Sequence, residues 1–240
     1  MTPEIIFENK DFLVINKPAG LVVHSDGKTK EATLVDWVIE NYPEMENVGE
    51  PLILANGEVI KRSGIVHRLD RETSGAMILA KTQESFDFFK KAFKDRDIEK
   101  TYNAFVFGAV KNDLGTIDAP IARSRSDFRK WSAQRGARGQ ERMAITEYKV
   151  LERFEESGQK FSFLELMPKT GRTHQIRVHM KYLNHPIVGD SLYGGKVWQG
   201  LGFDRVALHS RKISFANLQG EVREFEAPYP QDFLDVIVGL

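Results

Sequence analysis

A dense polar segment at positions 67–75, set between two apolar stretches, constrains the fold of this chain more than any other feature. The segment reads HRLDRETSG; Ile65 and Val66 precede it, and the apolar residues 76–80 follow it. A short apolar run bounded by turn residues is typical of a buried strand. The pattern therefore predicts a polar loop held at the edge of a buried strand, where catalytic side chains are often found.

Asp70 is the residue of this loop that is best suited to a catalytic role. Arg68 and Arg71 flank it in sequence, and a nearby guanidinium favours the ionised form of a carboxylate. A carboxylate that stays ionised suits a nucleophile or an electrostatic stabiliser better than a proton donor. The alternative is an Asx-turn, in which Asp70 caps the local backbone and both arginines are solvated. Composition alone favours neither interpretation.

Positive charge is concentrated in two segments, although the chain has no net charge, with 34 Lys and Arg against 34 Asp and Glu. Residues 123–142 hold seven Lys or Arg and two acids, and residues 169–181 hold four Lys or Arg and no acid. Such segregation can give a neutral protein a phosphate-binding face. Gly136 and Gly139 predict a flexible loop in the first segment. The alternative is a solvated basic loop that has no partner.

Length and composition predict one domain over residues 1–240. The chain can bury a substantial core, and no Pro-, Gly- or Ser-rich linker divides it. It contains no cysteine, which excludes disulfides and thiolate metal sites. No leader-like segment or membrane-length apolar run is found, so a cytoplasmic protein is expected. A monomer is expected too, because no large surplus of apolar surface is evident.

The periodicity of apolar residues predicts an α+β fold with a mixed, mainly antiparallel β-sheet and flanking helices. Several strands are joined by short turns, and no regular βαβ order is found. The predicted strands cover residues 5–7, 12–15, 76–80, 100–108, 144–154, 161–167, 208–215 and 222–227. The predicted helices cover residues 33–41, 83–95 and 231–238, and a further helix opens at residues 170–173.

Three histidines near that last helix do not form a convincing metal site. The three are His174, His179 and His185; the first two are five residues apart, which is off the i, i+4 spacing of a helical zinc pair, and no companion acid is implied. We therefore predict no metal site. Hydrogen-bonded or phosphate-facing histidines are the preferred interpretation.

Five segments in a fixed order carry a family resemblance. They are NKPAGLVVH at 16–24, HRLDRETSG at 67–75, KTYNAFVFG at 100–108, TGRTHQIRVH at 170–179 and HPIVGDSLYG at 185–194. Together they closely resemble the RluA-type pseudouridine synthases, which isomerise particular uridines in structured RNA, and five ordered motifs are far more specific than one. The resemblance spans about residues 4–214. It implies the pseudouridine synthase catalytic fold, with a sheet around a central cleft and two lobes, and no separate N-terminal RNA-binding module is expected.

The resemblance also implies roles for individual residues. Asp70 matches the catalytic aspartate. Tyr102 matches a tyrosine that stacks on the target base and has been assigned a part in removing the proton at C5, although by itself it is compatible with a core tyrosine. Arg177 matches an arginine that pairs with the catalytic aspartate, and Ile176 matches an aliphatic residue that packs on the target base. Arg68 would fill the space left by the flipped nucleotide or hold its backbone.

Further residues are expected to contact phosphate. Arg172 and His174 belong to the helix opening, where backbone N–H groups are a natural seat for an anion. Arg129, Lys130 and Arg135 belong to the basic segment and would make phosphate contacts that tolerate different sequences. The expected partner is therefore structured RNA, either tRNA or rRNA, and no membrane is involved.

The implied reaction breaks the N-glycosidic bond of uridine, rotates the uracil, and joins its C5 to C1′, with no metal or organic cofactor. The base is expected to flip out of the helix stack. Asp70 could bond to the sugar, attack the base, or deprotonate C2′. One alternative is a non-catalytic RNA-binding or RNA-folding protein on the same scaffold. Another is a glycoside hydrolase, which usually needs a second carboxylate as its acid. Glu72 could be proposed for that role, but the neighbouring arginines would lower its pKa, which is the wrong direction for an acid.

Overall fold

A computed structural model describes residues 1–25, 31–53, 57, 59–125, 127, 129–133, 138–196 and 198–240. The chain divides into two compact units. Unit 1 comprises residues 1–99 and 210–228, and unit 2 comprises residues 100–209 and 229–240. The predicted α+β class with a mixed, mostly antiparallel sheet is confirmed. One catalytic domain over residues 1–240 stays a prediction.

The regular elements of the described residues follow the predicted order closely. In chain order they are β1 (Glu4–Glu8), β2 (Phe12–Lys17), α1 (Leu34–Asn41), β3 (Leu52–Ile53), β4 (Val59–Ile60), β5 (Ser74–Ala80), α2 (Gln83–Asp95), β6 (Glu99–Phe107), β7 (Leu114–Asp118), β8 (Ile121–Arg123), β9 (Trp131–Ser132), β10 (Arg138–Arg142), β11 (Ile145–Glu156), β12 (Gln159–Pro168), α3 (Gln175–Tyr182), β13 (Leu208–Ala216), β14 (Val222–Glu226) and α4 (Gln231–Ile237).

Unit 1 is built on the strand order β1-β2-β5-β13, with β14 paired to β13 and β3–β4 forming a separate hairpin. All seven residues of β5 are buried, as expected of a strand in the middle of a sheet. Its core is aromatic: the rings of Phe12, Phe89 and Phe215 pack edge to face at centroid distances of 5.2–5.5 Å. The strand that follows the polar loop is therefore rigidly held.

Helix α2 begins and ends where the sequence predicts. Thr82 and Ser85 form a capping box, in which each side chain accepts a backbone N–H of the other residue. The Ser85 hydroxyl also donates to the carbonyl of Asp11 at 2.7 Å, which ties the start of the helix to the β1–β2 turn. Phe86 and Phe89 are buried, so these two rings of the helix belong to the core of unit 1.

Unit 2 contains the antiparallel order β6-β12-β11-β7. The strands predicted at residues 144–154 and 161–167 correspond to β11 and β12, which pair as an antiparallel hairpin with Phe154 opposite Phe161. Phe105 of β6 stacks on Phe163 of β12 at 4.6 Å and contacts Phe233 of α4 at 5.3 Å. This aromatic core supports β6, the strand that carries Tyr102.

The basic segment differs from the predicted flexible loop. Its described residues include three short strands that form an antiparallel sheet in the order β10-β8-β9. The guanidinium carbon of Arg123 lies 4.2 Å from the centroid of the Trp131 ring, a cation–π contact that favours the extended pairing of β8 with β9. The positions of the two glycines alone did not reveal this contact. We refer to these three strands as the small sheet.

Helix α3 begins later than the sequence suggests. The predicted start at residues 170–173 is wrong, because the helix begins at Gln175. The Gln175 side chain accepts the hydroxyl of Thr170 at 2.7 Å and the N–H of Arg172 at 3.0 Å, which closes a turn ahead of the helix. His174 then has a left-handed φ of 55°, which interrupts helical geometry.

The described part of the chain shows neither a membrane-spanning helix nor a cluster of metal ligands. No helix there is long and apolar enough to cross a membrane. No group of three or more His, Cys, Asp or Glu side chains there could hold a metal ion.

Candidate active site

Asp70 lies in unit 1, in a loop between an isolated bridge that joins Ile65 to Leu79 and the first residue of β5. The loop closes on itself, because the N–H of Thr73 donates to the carbonyl of Asp70 at 3.1 Å. The Asp70 side chain is half-buried. The predicted placement of a polar loop at the edge of a buried strand is therefore confirmed.

A buried lysine anchors this loop from the neighbouring motif. The Lys17 side chain is fully buried, and its ammonium donates to the carbonyls of Pro18, Leu21 and Arg71 at 2.8, 2.9 and 3.1 Å. The N–H of Gly20 donates to the same Arg71 carbonyl at 2.8 Å. Since Arg71 directly follows Asp70, two donors fix the backbone next to the candidate carboxylate.

The two ends of the loop are fixed by different means. At the exit, Gly75 has a φ of 114°, and a Cβ there would lie 2.2 Å from the carbonyl oxygen of Ser210, so no other residue fits. At the entrance, Nε2 of His67 accepts the N–H of Ile78 at 2.9 Å. The His67 ring also stacks on Phe93 at 4.4 Å. A loop held at both ends and in the middle can present Asp70 in one geometry.

Positive charge gathers around His24 in unit 1. The pKa of His24 is lowered from 6.5 to about 4, mainly by burial and to a smaller extent by the charges of Arg62 and Arg68. Nδ1 of His24 is buried and has no hydrogen-bond partner within the described residues. Arg68 itself is exposed, and Arg71 pairs with Glu31 at 2.9 Å. His24 is therefore neutral at pH 7 and lies beside two cations.

Arg177 lies in unit 2, and the structure gives it a partner that the sequence did not reveal. Its Nε and Nη2 donate to Oδ2 and Oδ1 of Asp190 at 2.7 and 2.9 Å, a bidentate pair. Arg177 is 7% exposed and Asp190 is fully buried. Oδ1 of Asp190 also accepts the N–H groups of Leu192 and Tyr193, both at 3.0 Å.

Gly189 makes the position of Asp190 possible. It has a φ of 76°, and a Cβ there would lie 1.7 Å from the carbonyl oxygen of Arg205. The Gly-Asp step of the HPIVGDSLYG motif thus combines a close backbone approach with a carboxylate aimed at Arg177.

Tyr193 links Arg177 to two neighbouring segments of unit 2. Its ring lies under the guanidinium, 5.1 Å from the Arg177 Cζ. Its hydroxyl accepts the N–H of Trp131 at 3.0 Å and is hydrogen-bonded to Nδ1 of His174 at 2.9 Å. The predicted hydrogen-bonded role for His174 is thus confirmed, and His174, Arg177 and the small sheet meet at one tyrosine.

Tyr102 lies on β6 of unit 2, opposite Leu166 of β12, and packs against the unit 2 core. The next residue is fixed on both sides: Asn103 donates to the carbonyl of Leu164 at 3.2 Å and accepts the hydroxyl of Tyr229 at 2.9 Å. Burial lowers the pKa of Lys100, two residues before Tyr102. The strand therefore holds Tyr102 on a rigid backbone.

Two other predicted contact residues are partly engaged within unit 2. Ile176 is 6% exposed and belongs to the unit 2 core. Arg172 donates from Nε to the carbonyl of Met143 at 3.1 Å. Contact of either residue with substrate stays a prediction.

The predicted phosphate contacts of the basic segment are not equivalent. Arg129 forms a bidentate pair with Asp127 at 2.8 and 3.1 Å. That pairing lowers the pKa of Asp127 to about 2 and raises the pKa of Arg129, so the charge of Arg129 is largely compensated. Lys130 is half-buried. Arg135 lies outside the described residues.

Sequence reasoning missed three residues that fix the candidate site: Lys17, Asp190 and Tyr193. Each lies in a motif that carries the family resemblance, but none has an individual pattern that reveals its contact. Lys17 is followed by Pro18 in what reads as an ordinary turn, and Asp190 is thirteen residues from Arg177. The available signal was the position of each inside a motif, which identifies a segment but not a partner.

Comparison with known proteins gives a consistent result. Residues 11–182 match the family described as RNA pseudouridylate synthase. The chain is 37% identical over 241 residues to the uncharacterized RNA pseudouridine synthase YlyB of Bacillus subtilis, covering 100% of this chain and 73% of that protein. It is also 37% identical over 243 residues to the ribosomal large subunit pseudouridine synthase D of Pseudomonas aeruginosa, covering 96% and 69% of the two chains.

A solved structure of a protein named for the same family has a similar fold. The human RNA pseudouridylate synthase domain containing 1 protein matches with a TM-score of 0.76 and 27% identity, over 95% of this chain and 84% of that one.

Proposed function

Because this chain belongs to the RNA pseudouridylate synthase family, we propose that it converts specific uridines of structured RNA to pseudouridine, with Asp70 as the catalytic carboxylate. The observation that carries this proposal is the anchored loop of unit 1. Lys17 and Gly20 bind the carbonyl of Arg71, directly after Asp70, at 3.1 and 2.8 Å. A carboxylate held in one geometry meets the requirement for a preorganised catalytic group.

The proposed reaction balances without a co-reactant. The bond between N1 and C1′ breaks, the uracil rotates within the site, and a bond between C5 and C1′ forms. C5 loses its proton and N1 gains one, so substrate and product are isomers. The residues need only to cleave a glycosidic bond, hold the freed uracil, and move a proton from C5.

Asp70 can assist the first step as a glycosidase nucleophile does, by attacking or stabilising the electron-poor sugar carbon. Attack on the base and deprotonation of C2′ are the other two routes. We assign the stacking contact and the removal of the C5 proton to Tyr102, and electrostatic support of the carboxylate to Arg177. Ile176 would pack against the uracil. These assignments come from the motif resemblance, and the rigid settings of Tyr102 and Arg177 support them.

We propose that the target base flips out of its stack before reaction. Arg68 is exposed within the candidate loop, which suits a side chain that occupies the vacated space or holds the flipped nucleotide. Lys130, Arg129 and Arg135 of the basic segment, together with Arg172 and His174, would contact phosphates. Such contacts fix the register of the RNA without reading its sequence.

Large-subunit rRNA is the first substrate to test, because the relative from Pseudomonas aeruginosa is named for the ribosomal large subunit; tRNA is the second. Unmodified transcripts of both would be incubated with the purified protein, and pseudouridine would be mapped at nucleotide resolution. One or a few uridines converted to completion would support the proposal and name the substrate. RNA binding without conversion, on transcripts and on assembled ribosomal particles alike, would favour the RNA-binding alternative.

A further inference from the structure

The family motifs assign a role to Arg177 but do not say what holds its guanidinium in place. The structure shows that Asp190 does so. Asp190 accepts one hydrogen bond from Nε and one from Nη2 of Arg177, at 2.7 and 2.9 Å. A guanidinium has five N–H donors in one plane. The two-point contact therefore fixes that plane and directs the remaining three donors away from Asp190.

Asp190 is itself immobilised. It is fully buried, and its Oδ1 also accepts the backbone N–H groups of Leu192 and Tyr193, each at 3.0 Å. Four donors thus converge on one carboxylate that follows the close backbone approach at Gly189. This carboxylate is aimed at Arg177 by the backbone and cannot rotate without losing several hydrogen bonds.

A second contact fixes the helix from which Arg177 projects. His174 stands directly before α3 with a φ of 55°, a conformation that non-glycine residues adopt only when their surroundings enforce it. Its Nδ1 is hydrogen-bonded to the Tyr193 hydroxyl at 2.9 Å, and the same hydroxyl accepts the N–H of Trp131. The Tyr193 ring lies against the Arg177 guanidinium.

We propose that Asp190 and Tyr193 are positioning residues for Arg177: Asp190 fixes the plane of the guanidinium, and the Tyr193 hydroxyl holds the strained turn from which its helix starts. Neither side chain needs to touch the substrate in this account. The kinetic part of the inference rests on the proposed function, whereas its structural part concerns the protein without RNA.

The test compares Asp190→Asn and Tyr193→Phe with a matched control, Asp232→Asn. Asp232 forms a bidentate pair with Arg205 in the same unit, at 2.6 and 2.9 Å, and has no place in the proposed site. Each variant therefore loses one Asp–Arg contact or one hydroxyl. Three quantities are measured: RNA affinity, the single-turnover rate at saturating RNA, and the Nε–H resonance of Arg177 in ¹⁵N-labelled protein.

We expect Asp190→Asn to lower the single-turnover rate by about 100-fold, and Tyr193→Phe to lower it by about 10-fold, while RNA affinity changes less than about threefold. The Arg177 Nε–H signal should shift or broaden in both variants. In Asp232→Asn only the Arg205 signal should move and the rate should stay near wild type. This separation of rate from affinity would not arise from general loss of structure.

The inference is overturned if Asp190→Asn keeps the wild-type rate at saturating RNA, or if Asp232→Asn loses as much rate as Asp190→Asn. It is equally overturned if the Arg177 signal is unchanged in both variants. Should Asp190→Asn fail to fold, Tyr193→Phe decides by the same criteria, because it removes only a hydroxyl. A wild-type protein that forms no pseudouridine contradicts the proposed function, and the Arg177 signal then still decides the positioning roles.

Discussion

At the scale of single residues, Tyr102 offers the sharpest separation of binding from chemistry. Tyr102→Phe keeps the aromatic ring and removes only the hydroxyl. We predict unchanged RNA affinity and a single-turnover rate lowered by about 10²-fold or more, the range expected when a proton-transfer group is lost. Tyr148→Phe, a core tyrosine of β11 in the same unit, is the matched control. A Tyr102→Phe rate equal to that of the control would reduce Tyr102 to a packing residue.

Lys17 tests whether the buried ammonium holds the candidate loop. Lys17→Met preserves side-chain length but leaves carbonyls of Pro18 and Leu21 without their donor. We predict a free energy of unfolding lower by about 1–3 kcal/mol in urea titrations. Lys61→Met removes a lysine whose pair with Glu46 is exposed to solvent, and should cost less than about 1 kcal/mol. Equal losses in the two variants would contradict the anchoring role.

The lowered pKa of His24 predicts a specific dependence of stability on pH. In the folded protein its pKa is lowered to about 4, whereas its ordinary pKa of 6.5 applies in the unfolded chain. The unfolded state therefore binds more protons between those pH values, and the free energy of unfolding falls as the pH decreases from about 6.5 to about 4.

The measurement is a series of urea titrations between pH 7.5 and pH 4.5 on wild type and His24→Gln. Wild type should lose about 1–2 kcal/mol more than the variant over this range, a figure reduced from the full shift because His24 is partly exposed. Other titrating groups, including the buried His179, are present in both proteins and cancel in the comparison. Parallel pH profiles would show that His24 is not held neutral by the fold.

At the scale of elements, the basic segment at residues 123–142 gives a prediction about RNA binding. Neutralising Arg129, Lys130 and Arg135 together should weaken binding and flatten its salt dependence, with the slope of log K against log[salt] falling by about 0.7–0.9 per lost phosphate contact. Because Asp127 already compensates Arg129, Arg129→Gln alone should change the slope less than Lys130→Gln.

The matched control for this triple variant is neutralisation of Lys61, Lys90 and Lys91, which removes the same charge from lysines already paired with acidic residues. The control should leave the salt slope near the wild-type value. An unchanged slope in the triple variant of the basic segment would mean that this segment is solvated and has no phosphate partner.

Elements whose ends are set locally were predictable from sequence. Helix α2 follows a Thr82 cap and a stripe of phenylalanines, and it spans the predicted residues. Helix α3 begins later than predicted because its start depends on a fold-back of the Gln175 side chain and on a left-handed His174 held by Tyr193. The first contact is a specific side-chain geometry and the second joins residues nineteen positions apart, and helix propensity reports neither.

The candidate site was likewise predicted only in part from the sequence. The loop of Asp70 was found because apolar runs frame it, and the anchoring by Lys17 was missed because three carbonyl acceptors leave no pattern in side chains. The Arg177–Asp190 pair was missed because its members belong to a helix and to a separate turn. The sequence identified the segments that form the candidate site. The contact partners within those segments could be identified only from the structure.

At the scale of the whole molecule, a chain with no net charge is assigned an RNA substrate. Locally concentrated positive charge makes RNA binding compatible with zero net charge. Arg62 and Arg68 lie close enough to His24 in unit 1 to affect its pKa, and Arg123 stacks on Trp131 in unit 2. Electrostatic attraction to RNA depends on such concentrations of charge and not on the total. Cytoplasmic location and a monomeric state stay predictions.

The central claim is that the Asp70 carboxylate isomerises uridine in RNA, and release of tritium from RNA labelled at C5 of uridine tests it most directly. Each pseudouridine formed must release the hydrogen of C5, so the wild-type protein should release tritium in proportion to pseudouridine found by mass spectrometry. Asp70→Asn should bind the same RNA with similar affinity and fold normally, yet release tritium at least about 10³-fold more slowly. Asp87→Asn, on the exposed face of α2, should behave as wild type. Substantial tritium release by Asp70→Asn would contradict the account.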